Sequence, residues 1–185
     1  MLDNKAYLYY FKNDIDIKIN VTPNILNHFN NFRNEKKRIV KLKKYTLLDI
    51  ALKEFGYSIA DIYFENGKPL INGIHISTSD SNSYFGFVIS NNNIGLDIED
   101  EIDSKKKQAI NKFLANAKFD YLVDDVIKWM MVEAYSKYLG TGLSESVLNS
   151  SYNISSYYIN KIENTYFTVY KNKSEEVVLK ELIWE

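Results

Sequence analysis

Asp97 and Glu99 stand two residues apart in Ile94-Gly95-Leu96-Asp97-Ile98-Glu99, a stretch that alternates apolar and acidic side chains. Alternation of that period is the pattern of a half-buried strand. A strand places both carboxylates on one face, roughly 6.5–7 Å apart along the chain. Glu133 and Lys137 stand four apart in Trp129-Met130-Met131-Val132-Glu133-Ala134-Tyr135-Ser136-Lys137. On a helix that spacing shares one face, so both heads can meet a single ligand. If the helix packs beside the strand, three carboxylates and one ammonium converge. Hard oxygen donors of this kind suit Mg²⁺, which takes one or two carboxylates and completes its shell with water and substrate phosphates.

The surrounding chain supplies elements to position these groups. Ala6 to Phe11 reads as a first, aromatic-rich strand, and the alternation Ile15, Ile17, Ile19, Val21 as a short edge strand. Thr22-Pro23 is a helix start, followed by the stripe Ile25, Leu26, Phe29, Phe32. Asn34 to Arg38 is a basic cluster, and Ile39 to Phe55 a second, longer helix that Gly56 stops. Ile62 to Phe64 is strand-like and Glu65 to Pro69 a turn. Gly73 to Ser77 reads as a strand that gives way to the polar run Ser77 to Ser83, open to reading as a loop. Tyr84 to Ile89 is a further strand, and Asn91-Asn92-Asn93 a hairpin turn into the Asp97/Glu99 strand. Residues 103–120 are polar and helical in part. Asp124 caps a helix that runs to Leu139 with Ile127, Met130 or Met131, Ala134 and Tyr138 as its apolar stripe, and Gly140 ends it. Strands over Tyr157 to Lys161, Tyr166 to Tyr170 and Glu176 to Leu182 close the chain. The expected class is α+β.

An internal echo bears on architecture. Asp49-x3-Lys53-x2-Gly56 returns as Glu133-x3-Lys137-x2-Gly140, each preceded by a strand at a similar distance. Either chance or two related α+β halves would produce it.

Composition bounds the partners. The 185 residues carry 23 Lys and Arg against 24 Asp and Glu, with no Cys. The length suits one domain or two small ones. Cancelling charge offers no broad basic field for nucleic acid. The lack of Cys excludes disulfides, thiolate metal sites and a Cys nucleophile. The N-terminus shows no basic region followed by an apolar one, and no apolar run approaches the ~18–20 residues of a membrane helix. A cytoplasmic protein with no membrane and no nucleic-acid partner is expected.

These stretches together resemble the 4'-phosphopantetheinyl transferases. Ile94 to Glu99 is similar to that family's (V/I)-G-(V/I)-D-x-E strand, and Trp129 to Lys137 to its (W/F)-x-x-K-E-(A/S)-x-x-K helix. Tyr138 to Leu143 resembles the family's continuation, Gly67-Lys68-Pro69 its G-K-P turn, and Ile76-Ser77-Thr78-Ser79 its I-S-H-S strand end. Order and spacing agree from about residue 36 to the C-terminus. The length resembles the surfactin-synthetase type, a monomer of two pseudo-symmetric α+β halves, each a small antiparallel sheet packed with a long helix. Here the halves would be residues 1–90 and 91–185, the second carrying the metal site.

The resemblance implies transfer of phosphopantetheine from coenzyme A to a serine of an acyl or peptidyl carrier protein. It implies Mg²⁺ on Asp97, Glu99 and Glu133, with Glu133 or a metal-ordered water taking the serine proton. Lys137 would neutralise a phosphate oxygen. Lys36, Lys37, Lys44 and Lys68, with Ser77 and Thr78, would meet the rest of coenzyme A. Two positions depart from the pattern: the family's lysine before the helix glutamate is Val132, and its strand-end histidine is Thr78. Two positive groups are thereby lost, each worth about ten- to a hundredfold, or ~1.5–3 kcal/mol, in coenzyme A binding. On that view Val132→Lys should tighten it. A weak or non-catalytic relative that binds coenzyme A or a carrier is therefore an alternative, as is a metal-dependent nuclease.

Overall fold

The computed structural model describes residues 4–14, 16–30, 32–65 and 67–182. Ile15 of the anticipated edge strand and Asn66 of the anticipated turn lie outside them. In chain order the elements are β1 Lys5–Lys12, α1 Pro23–Phe29, α2 Glu35–Lys53, β2 Tyr63–Glu65, β3 Lys68–Leu70, β4 His75–Asp80, β5 Tyr84–Ser90 and β6 Gly95–Asp100. There follow α3 Ser104–Phe113, β7 Lys118–Phe119, α4 Asp125–Leu139, α5 Glu145–Leu148, β8 Ser151–Tyr152, β9 Tyr157–Ile162, β10 Thr165–Tyr170 and β11 Glu176–Glu181. The protein is α+β, as its patterning indicates. No helix among the described residues is long and apolar enough to cross a membrane.

A four-stranded sheet has the order β11-β1-β5-β4, and a three-stranded sheet the order β6-β10-β9. Strand alternation sorts their side chains into separate cores. Tyr9 and Phe11 of β1 and Phe85, Phe87 and Ile89 of β5 pack with Leu47, Leu48 and Leu52 of α2. Their neighbours Ala6, Leu8, Tyr84 and Val88 pack instead on Leu96, Ile98, Phe167 and Val169 of the second sheet. The opposite face of that sheet receives α4, with Met131, Val132 and Ala134 in a third core beside Ile110 and Val147. Helix, sheet, sheet and helix thus stack in four layers. Because Leu96 and Ile98 point at the first sheet, Asp97 and Glu99 point the other way, on the α4 side. One sequence boundary is crossed: β11, from the C-terminal end, adds to β1 in parallel, so the first sheet is mixed rather than purely antiparallel.

Several local expectations are corrected by packing. Residues 16–22 form no strand. Ile17 is buried and Ile19 and Val21 pack on the α2 core, while the Asn20 backbone bonds Thr46 of α2 in place of a sheet neighbour. The long helix begins at Glu35, capped by Asn34, whose side chain accepts from Lys37 N. The basic cluster is therefore a first helical turn. Ser77 to Asp80 continue β4 rather than opening a loop. Asn91 to Asn93 turn no hairpin: β5 already has β1 on one side and β4 on the other, so no free edge remains for β6 to join. The chain crosses to the second sheet instead.

Candidate active site

The two sheets meet where β4 runs beside β6, each an edge strand of its own sheet. No backbone ladder joins them; serine hydroxyls do. Leu96 N donates to Ser77 Oγ at 3.0 Å and Ile98 N to Ser79 Oγ at 3.1 Å. Ser79 in turn donates to Asp97 Oδ1 at 3.0 Å. The alternation Ser77-x-Ser79 puts both hydroxyls on one side of β4, which is what such a seam requires.

From the other side α4 brings Glu133 and Lys137. It can lie against the start of β6 because residue 95 is glycine: a Cβ there would stand 1.9 Å from the Ala134 carbonyl oxygen. Gly140, at φ +70°, terminates the helix in the left-handed conformation that glycine adopts without strain. Lys137 Nζ reaches Asp97 Oδ1 at 2.7 Å and Ser79 Oγ at 2.9 Å. Ser79 was missed in the sequence reading, although its two-residue offset from Ser77 was the available signal.

Glu99 is drawn off toward Lys106 of α3, at 2.7 Å. No hydrogen bond from a described residue reaches the Glu133 carboxylate. Burial pushes its carboxyl pKa up, the charge of Asp97 pushes it further, and Lys137 only partly opposes them. The far oxygen of Asp97, Oδ2, is buried with no hydrogen-bond partner among the described residues.

Lys137 also borders a cleft of about 280 Å³ whose lining includes Lys68, Ser77, Thr78, Ser136 and Gly140; Glu99 lines a separate, acidic hollow with Asp100, Asp103 and Lys106. Lys68 Nζ donates to the Lys137 carbonyl at 3.2 Å, and burial lowers its pKa. Four residues expected at a coenzyme site, Lys68, Ser77, Thr78 and Lys137, thus converge from three separate stretches of chain.

No protein-family model matches the chain, and no curated protein does.

Other expected residues lie elsewhere. Lys36 and Lys37 are exposed in the first turn of α2. Lys44 is buried over the Phe85 ring, with its ammonium 3.0 Å from Asp80 Oδ2. Burial raises the Asp80 carboxyl, but Lys44 and Lys41 more than offset it and hold it below the usual carboxylate range.

The donor set fits Mg²⁺ in kind. Asp97, Glu99 and Glu133 offer oxygen only, Asp97 Oδ2 has an unmet valence, and the Glu133 carboxylate is crowded by its acidic neighbours. The set is not closed as a cage: no three acidic or histidine groups among the described residues are gathered on one point. Lys137 and Lys106 hold Asp97 and Glu99 instead.

The departure at 132 has a packing consequence. Val132 is fully buried in the third core, among Ile110, Met131 and Val147, and does not line the cleft. A lysine would have to bury its ammonium there. Val132→Lys is accordingly expected to cost about 3 kcal/mol or more and to lower Tm by roughly 6–12 °C, rather than to tighten coenzyme A binding. Thermal unfolding of the variant checks this; a Tm within about 2 °C of wild type would show that the side chain reaches solvent or the cleft.

Proposed function

We propose that the protein transfers the 4'-phosphopantetheine group of coenzyme A to a serine hydroxyl of an acyl or peptidyl carrier protein, acting as a cytoplasmic monomer. The observation that carries this reading is the cleft that gathers Lys68, Thr78 and Lys137, the last bonded to Asp97 and one helical turn from Glu133. Cations for phosphate oxygens and carboxylates for a metal are what displacement at a pyrophosphate requires.

In the reaction the serine oxygen bonds to the phosphorus, the pyrophosphate P–O bond breaks, and adenosine 3',5'-bisphosphate leaves. The cleft volume of about 280 Å³ is at the lower edge of small-molecule sites, roughly 300–1,000 Å³. It therefore takes one segment of so long a ligand, and the pyrophosphate is the segment its cations suit. Lys137, with a flexible stem, neutralises a phosphate oxygen. Glu133, whose carboxyl pKa burial and Asp97 raise above the ordinary value, is suited to accept the serine proton. Mg²⁺ held by Asp97, Glu99 and Glu133 would supply further neutralisation of the pyrophosphate.

A second reading, binding of coenzyme A without transfer, is favoured by the lysines that already occupy Asp97 and Glu99. Intact mass spectrometry of an apo carrier incubated with the protein, coenzyme A and Mg²⁺ separates the two. Gain of one phosphopantetheine arm, lost on chelation, is the expected result. No gain across several carriers, with the protein still thermally stabilised by coenzyme A, would leave the second reading.

A further inference from the structure

Two of the three carboxylates at the site already hold a cation that belongs to the protein. Lys137 Nζ lies 2.7 Å from Asp97 Oδ1, and Lys106 Nζ lies 2.7 Å from Glu99 Oε2. The two pairs differ in kind. Lys106 and Glu99 are both partly solvated, with side-chain exposures of 47% and 23%, and such pairs are weakly held. Asp97 is 6% exposed at its side chain, so Lys137 is the principal charge compensating a buried carboxylate.

Lys137 also lines the adjoining cleft. Among the described residues its ammonium is anchored through two oxygens, those of Asp97 and Ser79, and its side chain is 29% exposed. It therefore has two stations within reach, the carboxylate and the cleft. A divalent cation arriving at Asp97 carries twice the ammonium's charge and repels it at contact distance. The open valence for that cation exists: Asp97 Oδ2 is buried without a hydrogen-bond partner among the described residues.

We propose that Lys137 is an internal counter-ion which neutralises Asp97 until a divalent cation displaces it into the cleft, where its ammonium then meets the anionic group of the ligand. The inference rests on the reading of Asp97, Glu99 and Glu133 as a metal site. Cation and anion then bind in a preferred order and each strengthens the other, since coupling between two ligands is reciprocal. The cation vacates Lys137 for the anion, and the anion holds Lys137 away from the cation's place. Ser79 is a positioning residue in this scheme. Its hydroxyl donates to Asp97 and accepts from Lys137 and Ile98 N, so it keeps Asp97 oriented after the ammonium has gone.

The test uses the whole chain and Mn²⁺ as the probe, with bound ion read by electron paramagnetic resonance. Lysine acetylation is followed by peptide mass spectrometry with and without saturating Mn²⁺, and exposed Lys36 is the internal reference. Labelling of Lys137 is expected to rise at least about threefold when Mn²⁺ binds, and Lys137→Met to bind Mn²⁺ about tenfold more tightly than wild type, within the usual range of coupling between sites. Mn²⁺ that binds with Lys137 labelling unchanged or reduced overturns the proposal and leaves the metal site standing. Weaker binding by Lys137→Met does the same. Absence of Mn²⁺ binding at millimolar concentration overturns the metal reading itself. The labelling arm needs no variant, so it decides the matter if Lys137→Met fails to fold.

Discussion

Glu133→Gln is expected to abolish the proposed phosphopantetheine transfer while making the protein more stable at neutral pH. The side chain keeps its size and loses only its charge. In the folded protein that charge is unwelcome, because burial and Asp97 raise the carboxyl pKa above its ordinary value. A group whose folded-state pKa is raised binds protons more tightly when folded. Its favourable contribution is therefore complete below the unfolded value, near ~4.3, and is lost as pH rises through the higher folded value. Glutamine has no such loss. The stability advantage of the variant should open as pH rises above about 4, and Mg²⁺ should narrow it by stabilising wild type alone. On the proposed role of Glu133 as base and metal ligand, transfer should fall by about 10³-fold or more. Thermal melts from pH 4 to 8 beside the carrier mass assay check both parts. A variant that still transfers would show that the glutamate is not in the chemistry. One that melts below wild type throughout would show that its carboxylate is held by favourable contacts.

Gly95→Ala has the opposite signature, stability and activity lost together. The added Cβ would sit 1.9 Å from the Ala134 carbonyl oxygen and 2.8 Å from Tyr138 N. Both obstacles are helix backbone, which cannot rotate aside. The helix must lift from β6, and Glu133 and Lys137 lie on the turns that lift. A cost of about 3 kcal/mol or more is expected, lowering Tm by roughly 6–12 °C. Calorimetry together with the transfer assay measures it. A Tm within about 2 °C of wild type would mean that α4 does not press on the strand as described.

The legible part of this fold is the part set by short-range periodicity. The strands at Ala6–Phe11 and over 157–182, the Thr22-Pro23 start of α1 and the Gly140 end of α4 stand where their patterns place them. A strand turns side chains every two residues and a helix every 3.6, whatever surrounds them. For the same reason the placement of Asp97 with Glu99, and of Glu133 with Lys137, was open to reading before any packing was known.

What the sequence determined by itself was thus a set of chemically loaded faces: two acidic positions on a strand, an acid and a base on a helix, a lysine at a turn. Only the tertiary structure decided which faces meet. β6 left the first sheet because both edges of β5 were taken. The serine run became a seam because its hydroxyls faced a strand from another sheet. Val132 turned into the third core, and Lys44 was absorbed by Asp80. Lys137 bonded Asp97, forty residues away in sequence, rather than Glu133 one turn before it. A neighbouring pair on a helix is worth only ~0.2–0.5 kcal/mol, whereas a buried carboxylate left alone costs several. The ammonium goes where the larger penalty is relieved, and only the folded chain shows where that is.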